Sequence, residues 1–244
     1  SFNPHLGFIV GWALLLDYLF LPMINYLVIG IYLSAEFPSI PMWVWVVLFI
    51  AIVTVLNIRG IKVVTNLNFL LIAYQAIVII LFVILSVKAL LSGEGAGTPF
   101  SMTPFFNSEV SSSPVFSGAA ILALSFLGFD AVTTLSEETV DAKKVIPKAI
   151  FLVTIIGGIL FIIVSYLGNL VYPDYNSFKD PDSAGLEIAA VIGGNIFKAM
   201  FLGGMVVGGF GSALSSHASV SRLLYAMGRD SIFPKKAFGY LHPK

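Results

Sequence analysis

Asp17, Asp130 and His217 stand within or at the edge of long apolar stretches of this sequence. There an ionisable group is a functional candidate by default, because burying its charge in lipid is costly. Asp17 falls about ten residues into the first stretch, roughly 15 Å deep at about 1.5 Å per residue. It could hold a cation, a proton or a lysine from another helix, or sit protonated and hydrogen-bonded inside a bundle. His217 closes a run of small residues. Imidazole can shuttle protons near neutral pH, but the position also suits a hydrogen-bonded interior or interfacial histidine.

Two further groups could recognise a ligand. Gly11, Tyr18, Asn25 and Tyr32 recur every seven residues, which keeps them on one stripe of a helix facing protein or water rather than lipid. Tyr18 could meet a substrate with its ring or hydroxyl, or be a packing tyrosine. The segment Ser125-Phe126-Leu127-Gly128-Phe129-Asp130 sets a glycine and an acid in an otherwise apolar run. Glycine permits unwinding, and broken helices at mid-membrane are how many secondary transporters build their sites. A half-helix ending near Phe126–Gly128 would offer free carbonyls and a negative dipole end to an amine. Phe126 and Phe129 could add cation–π contacts of about 1–2 kcal/mol. The alternative is a continuous helix with a packing glycine.

Other polar features read as structural. Gly204, Gly208, Ser212 and Ser216 recur every fourth residue, a face for close helix packing. Gln75 is expected to make an interhelical hydrogen bond. Glu137, Glu138, Asp141, Lys143 and Lys144 form a mixed-charge turn, read as a solvated face with a gate ion pair as the minority reading. No Walker loop and no metal-ligand spacing occurs, and Gly203-Gly204 and Gly208-Gly209 follow no predicted strand, so no enzyme, cofactor or metal centre is expected. Without cysteine there is no disulfide or thiolate site.

The elements that must position these groups are transmembrane helices. The chain is 58% hydrophobic and 11% charged, with a mean hydropathy of +0.96, where a soluble domain has about 25% charged residues. A lipid bilayer is therefore the expected solvent, and no nucleic-acid partner is expected. At about 20 residues per crossing, six spans are predicted: 8–33, 43–57, 67–91, 115–135, 149–172 and 188–216. The second is short, but Trp43 and Trp45 suit an interfacial belt. Alternating the loops puts Arg59, Lys62, Lys143, Lys144, Lys148, Arg222, Arg229, Lys235, Lys236 and Lys244 on one side. Only Lys88, Lys179 and Lys198 fall on the other. This bias predicts cytoplasmic ends. The chain opens on Ser1-Phe2-Asn3-Pro4 and closes on His242-Pro243-Lys244, so it is expected to be a piece of a longer protein.

Several segments carry a family resemblance. Phe126-Leu127-Gly128-Phe129-Asp130 through Glu138 resembles the sixth-helix signature of the amino acid–polyamine–organocation permeases. The run from Ala218 to Asp230 resembles the close of their eighth helix. Gly11-Trp12 through Asp17-Tyr18 to Asn25 is similar to the third helix of bacterial putrescine importers, as are Gly93–Thr98, Phe178–Asp182 and Phe238–Lys244. The likeness runs through the whole chain, loops included.

The resemblance implies a LeuT-like, all-α, five-plus-five inverted repeat, of which this chain would be transmembrane helices three to eight. It implies a site between helices one, three, six and eight, with helix one supplied by chain absent here. It puts Phe126, Leu127 and Gly128 at the broken helix, Tyr18 toward substrate and Asp130 just past the break. The implied activity is import of putrescine or a related small amine across the bacterial inner membrane by proton symport. Asp17, Asp130 and His217 would be the candidate carriers. An amino-acid permease is the alternative, and a non-transporting membrane sensor a remote one. Related cationic amino-acid transporters carry a lysine on helix five in place of sodium. Here the region reads Ala73-Tyr74-Gln75-Ala76, so that coupling device is not expected.

Overall fold

A computed structural model describes residues 3–59, 61–106, 112–129, 131–136 and 139–240. Among the described residues seven α-helices form: α1 Pro4–Glu36, α2 Met42–Arg59, α3 Ile61–Leu91, α4 Ser112–Leu122, α5 Ala142–Val171, α6 Ala184–Arg229 and α7 Lys235–Phe238. Short 3₁₀ turns at Ala123–Phe126, Ala131–Leu135, Tyr175–Ser177 and Pro181–Ser183 join them. Among the described residues six segments are long and apolar enough to cross a membrane, the number that the hydropathy predicts. Large side chains such as Phe69, Ile72, Phe116 and Ile162 project outward, which fits helices solvated by lipid or by further helices.

Three expected spans differ in detail. The fifth begins earlier than 149, because α5 runs through Pro147 and takes Lys143, Lys144 and Lys148 into its first turns. The fourth is not one helix over 115–135; it is α4 followed by two 3₁₀ turns. The sixth extends well beyond 188–216. Its 46 helical residues are divided at Gly194, whose φ of 62° and ψ of −164° are not helical. Glycine alone adopts that region freely. A short helix therefore precedes the long arm of α6.

That arm is the centre of the bundle. Its small residues let two helices approach. On one side Gly204 lies against Val78 and Gly208 against the Gln75 amide, both on α3. Tyr74 Oη donates to the Met200 carbonyl at 3.1 Å across the same seam. On the other side Gly209 lies against Ile29 of α1, and Asn25 Nδ2 donates to Ser212 Oγ at 2.9 Å. Tyr18, Asn25 and Tyr32 of the predicted stripe thus face α6, whereas a Cβ built on Gly11, its fourth member, would meet nothing within 4 Å. Replacing Asn25 and Ser212 by alanine, singly and together, is expected to give a coupling energy of about 0.5–1 kcal/mol, typical of hydrogen bonds between membrane helices. A double-mutant cycle on reversible unfolding of the complete protein in mixed micelles checks it.

The opposite end of the bundle is tied by loops. Ala96 N donates to the Leu170 carbonyl at 2.8 Å, and Tyr166 Oη bonds both the Ser101 amide and carbonyl. Glu187 accepts from the Lys179 and Asp180 amides. Lys198 pairs with Glu36, joining the end of α1 to the start of the α6 arm.

Candidate functional site: the interruption after α4

The backbone leaves the helix at a defined turn. Leu127 has φ −57° and ψ 136°, Gly128 has φ +81°, and Phe129 N donates to the Phe126 carbonyl at 3.2 Å. These are the marks of a type II β-turn, whose third position needs positive φ and so takes glycine. Asp130 lies outside the described residues. The carbonyls here are not simply free, as a bare helix end would leave them. Phe126 O accepts from Phe129 N, and Gly128 O from Ala131 N at 3.0 Å. Each keeps a second lone pair, and the negative end of the α4 dipole points at the turn.

The turn has two sides. Toward α1, Gly128 abuts Leu21: a Cβ built there would meet Leu21 Cδ2 at 3.3 Å. One turn earlier on α1, Tyr18 is 2% exposed and packs with Leu15, Val220 and Met227, with Ala131 against the same cluster. Toward α5, the Phe126 ring meets Phe161 edge-on at 5.3 Å. Two clefts open on this side. One of about 160 Å³ is lined by Ser125, Phe126, Leu127, Gly128, Phe129 and α5 residues including Gly157 and Phe161. A larger one of about 530 Å³ shares Ser125, Phe126 and Phe161 and reaches Tyr166 and Asn169.

The interruption thus gathers Phe126, Leu127, Gly128 and Phe129, while Tyr18 is buried in the α1–α6 contact, in the cluster that Ala131 packs against, and lines neither cleft. Asp17 is half-buried on α1 next to Tyr18. His217 is elsewhere. It lines a separate cleft with Thr54, Asn57, Ile58, Ala218, Ser221 and Arg222, between α2 and α6. The mixed-charge turn is solvated where it is described: Lys144 and Asp141 pair at 3.5 Å with both side chains mostly exposed. Among the described residues no group of His, Asp and Glu could hold a metal. The kink at Gly194 and the Glu36–Lys198 pair escaped sequence reasoning. A lone lysine inside the apolar run 188–216 was the available signal for the pair.

The comparisons with known proteins identify the family. The family model described as amino acid permease matches residues 1–243. The chain belongs to the amino acid permease family. Its low-affinity putrescine importer relative PlaP of Escherichia coli K12 is 46% identical over all 244 residues, which cover 54% of that protein. The amino-acid permease AapA of Bacillus subtilis is 24% identical over 93% of this chain and 50% of its own. The D-serine/D-alanine/glycine transporter of E. coli O6:H1 is 25% identical over 96% of this chain and 51% of its own. The chain therefore spans about half the length of the curated relatives it matches. No solved structure matches it significantly. The family and these relatives are permeases rather than enzymes, and an all-α membrane fold of the family's LeuT-like type follows for this chain.

Proposed function

We propose that the complete protein imports putrescine, or a closely related small diamine, by proton symport across a bacterial inner membrane. The chain described here would be helices three to eight, with both its ends cytoplasmic. The observation that carries the substrate is the identity of 46% to a putrescine importer along the entire chain, loops included; relatives named as amino-acid permeases or transporters are 24–28% identical. The interruption after α4 supports it chemically. A primary ammonium fits the second lone pairs of the Phe126 and Gly128 carbonyls at a negative helix end. The exposed Phe126 and Phe129 rings suit the apolar four-carbon spacer and give cation–π contact. Asp17 and Asp130 are the proposed proton carriers. His217, in the separate α2–α6 cleft, is left out of the pathway. The Lys and Arg bias supports the orientation.

Tyr18 is read as the wall that holds the interruption against α6. Tyr18→Ala empties a buried ring site and is expected to weaken putrescine binding by about tenfold or more, through loss of about 3–5 kcal/mol of packing. Tyr18→Phe keeps the ring and should stay within about threefold of wild type. Equilibrium binding of labelled putrescine to the purified complete transporter checks this. Unchanged affinity in Tyr18→Ala removes the residue from the site. In intact cells a protonophore should abolish concentrative uptake; uptake that persists refutes proton coupling.

A further inference from the structure

The larger cleft beside the interruption is longer than a diamine needs. Its volume is about 530 Å³, against about 160 Å³ for the cleft at the turn itself. One wall is a face of α5, where Phe161, Ser165 and Asn169 follow at every fourth residue and so lie on one side of the helix. Gly157 lines the cleft at the turn and Tyr166 the far part of the larger one. The two are roughly 13 Å apart along α5, at about 1.5 Å per residue. Beside the turn, Gly158 leaves room for the Phe126 ring: a Cβ built there would meet Phe126 Cζ at 3.7 Å.

Aromatic pairs stand at both ends. Near the turn, Phe126 and Phe161 meet edge-on. At the far end Phe105 stacks on Tyr166, with centroids 5.5 Å apart and planes 23° from parallel. Tyr166 Oη is committed to the Ser101 amide and carbonyl, at 2.8 and 2.9 Å. Those bonds hold the loop that carries Phe105, and they leave the Tyr166 ring rather than its hydroxyl to meet a ligand. Ser125, Ser165 and Asn169 add neutral oxygens along the cleft. Ring faces attract ammonium groups, and hydroxyl and amide oxygens accept their protons. Ser125, Phe161, Ser165 and Asn169 are exposed. An ammonium here keeps part of its water and escapes the full cost of burying a charge.

Length selects the occupant. At ordinary bond lengths a four-carbon diamine, extended over its five bonds, spans about 6 Å. Anchored at the turn, it stops about halfway to Tyr166. A linear triamine with nine bonds between its end nitrogens spans about 11 Å, and a cation acts on a ring from within about 6 Å of its centroid. We propose that the larger cleft is a subsite for linear polyamines longer than putrescine. One end ammonium sits at the turn and the other at the Phe105–Tyr166 pair, with Ser125, Ser165 and Asn169 serving the chain between and beyond. This rests on the reading of the interruption as the amine site.

The test is equilibrium binding of labelled spermidine and of labelled putrescine to the purified complete transporter. The two are expected to exclude one another, since both use the turn. Phe105→Leu removes a ring at the far end, and Asn169→Leu replaces an oxygen there by an apolar side chain. Each should lower the ratio of spermidine to putrescine affinity by about fivefold, and Phe105→Tyr should keep it within about twofold of wild type. Both positions are exposed, and either leucine variant decides the matter if the other is not recovered. Octanediol, an uncharged chain of similar length, should not displace spermidine. Simultaneous binding of both amines, an unchanged ratio in the leucine variants, or displacement by octanediol overturns the proposal. A wild type that binds putrescine but not spermidine sinks this subsite alone, and one that binds neither sinks the proposed function with it.

Discussion

Replacing Gly128 by valine is expected to raise the apparent KM for putrescine uptake by about tenfold or more while the protein still reaches the membrane. The turn after α4 holds Gly128 at φ +81°. A residue with a Cβ is disfavoured in left-handed backbone by about 1–2 kcal/mol, and a β-branched one more so. The new Cβ would also sit 3.3 Å from Leu21 Cδ2, so that side chain must give by a few tenths of an ångström, and the rest of the valine adds to the crowding. If the binding-competent turn becomes the minor conformer, apparent affinity falls by its fractional population, and about 1.4 kcal/mol is a factor of ten. Gly128→Ala should cost less than valine. Gly128→Asn should retain the most, because asparagine is the next-best residue at this position of a type II turn. Initial-rate uptake at graded putrescine, normalised to surface expression, measures the series. Equal KM values for glycine and valine would mean that the turn plays no part in recognition.

Gly204→Leu is expected to act on folding instead. Gly204 is buried on α6, and a Cβ there already meets Val78 Cγ1 at 3.0 Å. Val78 is itself 5% exposed and β-branched, so it cannot swing aside within one rotamer. A full leucine side chain must push α3 from α6, at a cost of about 1–3 kcal/mol or more for overpacking. In size-exclusion chromatography the variant should lose its monodisperse peak and show a clearly lower Tm. Val78→Ala in the same chain should recover part of the loss by removing the methyls in the way. Recovery by Val78→Ala separates a packing defect from a general one.

Much of this architecture was legible in the residues. The apolar runs are long enough to single out six candidate spans, because lipid forces the backbone to satisfy itself as helix. The Gly204–Ser216 period and the Tyr18–Asn25–Tyr32 stripe both fell on real seams. The interruption at Phe126–Gly128 was legible too, since a glycine beside an acid inside an apolar run has few other uses. What the residues did not reveal was its form. A type II turn depends on one hydrogen bond from Phe129 to Phe126, and it engages the carbonyls that a bare helix end would leave open. Gly193-Gly194 was invisible as a kink because glycine in an apolar run also serves packing. Glu36 and Lys198 are far apart in sequence, and only tertiary placement of α1 against α6 pairs them. The sequence left His217 open between a proton carrier and an interior or interfacial histidine. It lines the cleft with α2, whereas Val220, nearly one turn on, packs with Tyr18.

The central claim is that the interruption serves a diamine rather than an amino acid. Its most direct measurement is labelled putrescine uptake by the complete protein in cells lacking their own polyamine importers, challenged with excess unlabelled diamines and with excess neutral and cationic amino acids. Saturable uptake that diamines suppress and amino acids leave intact is expected. Uptake suppressed by amino acids but indifferent to diamines would contradict it.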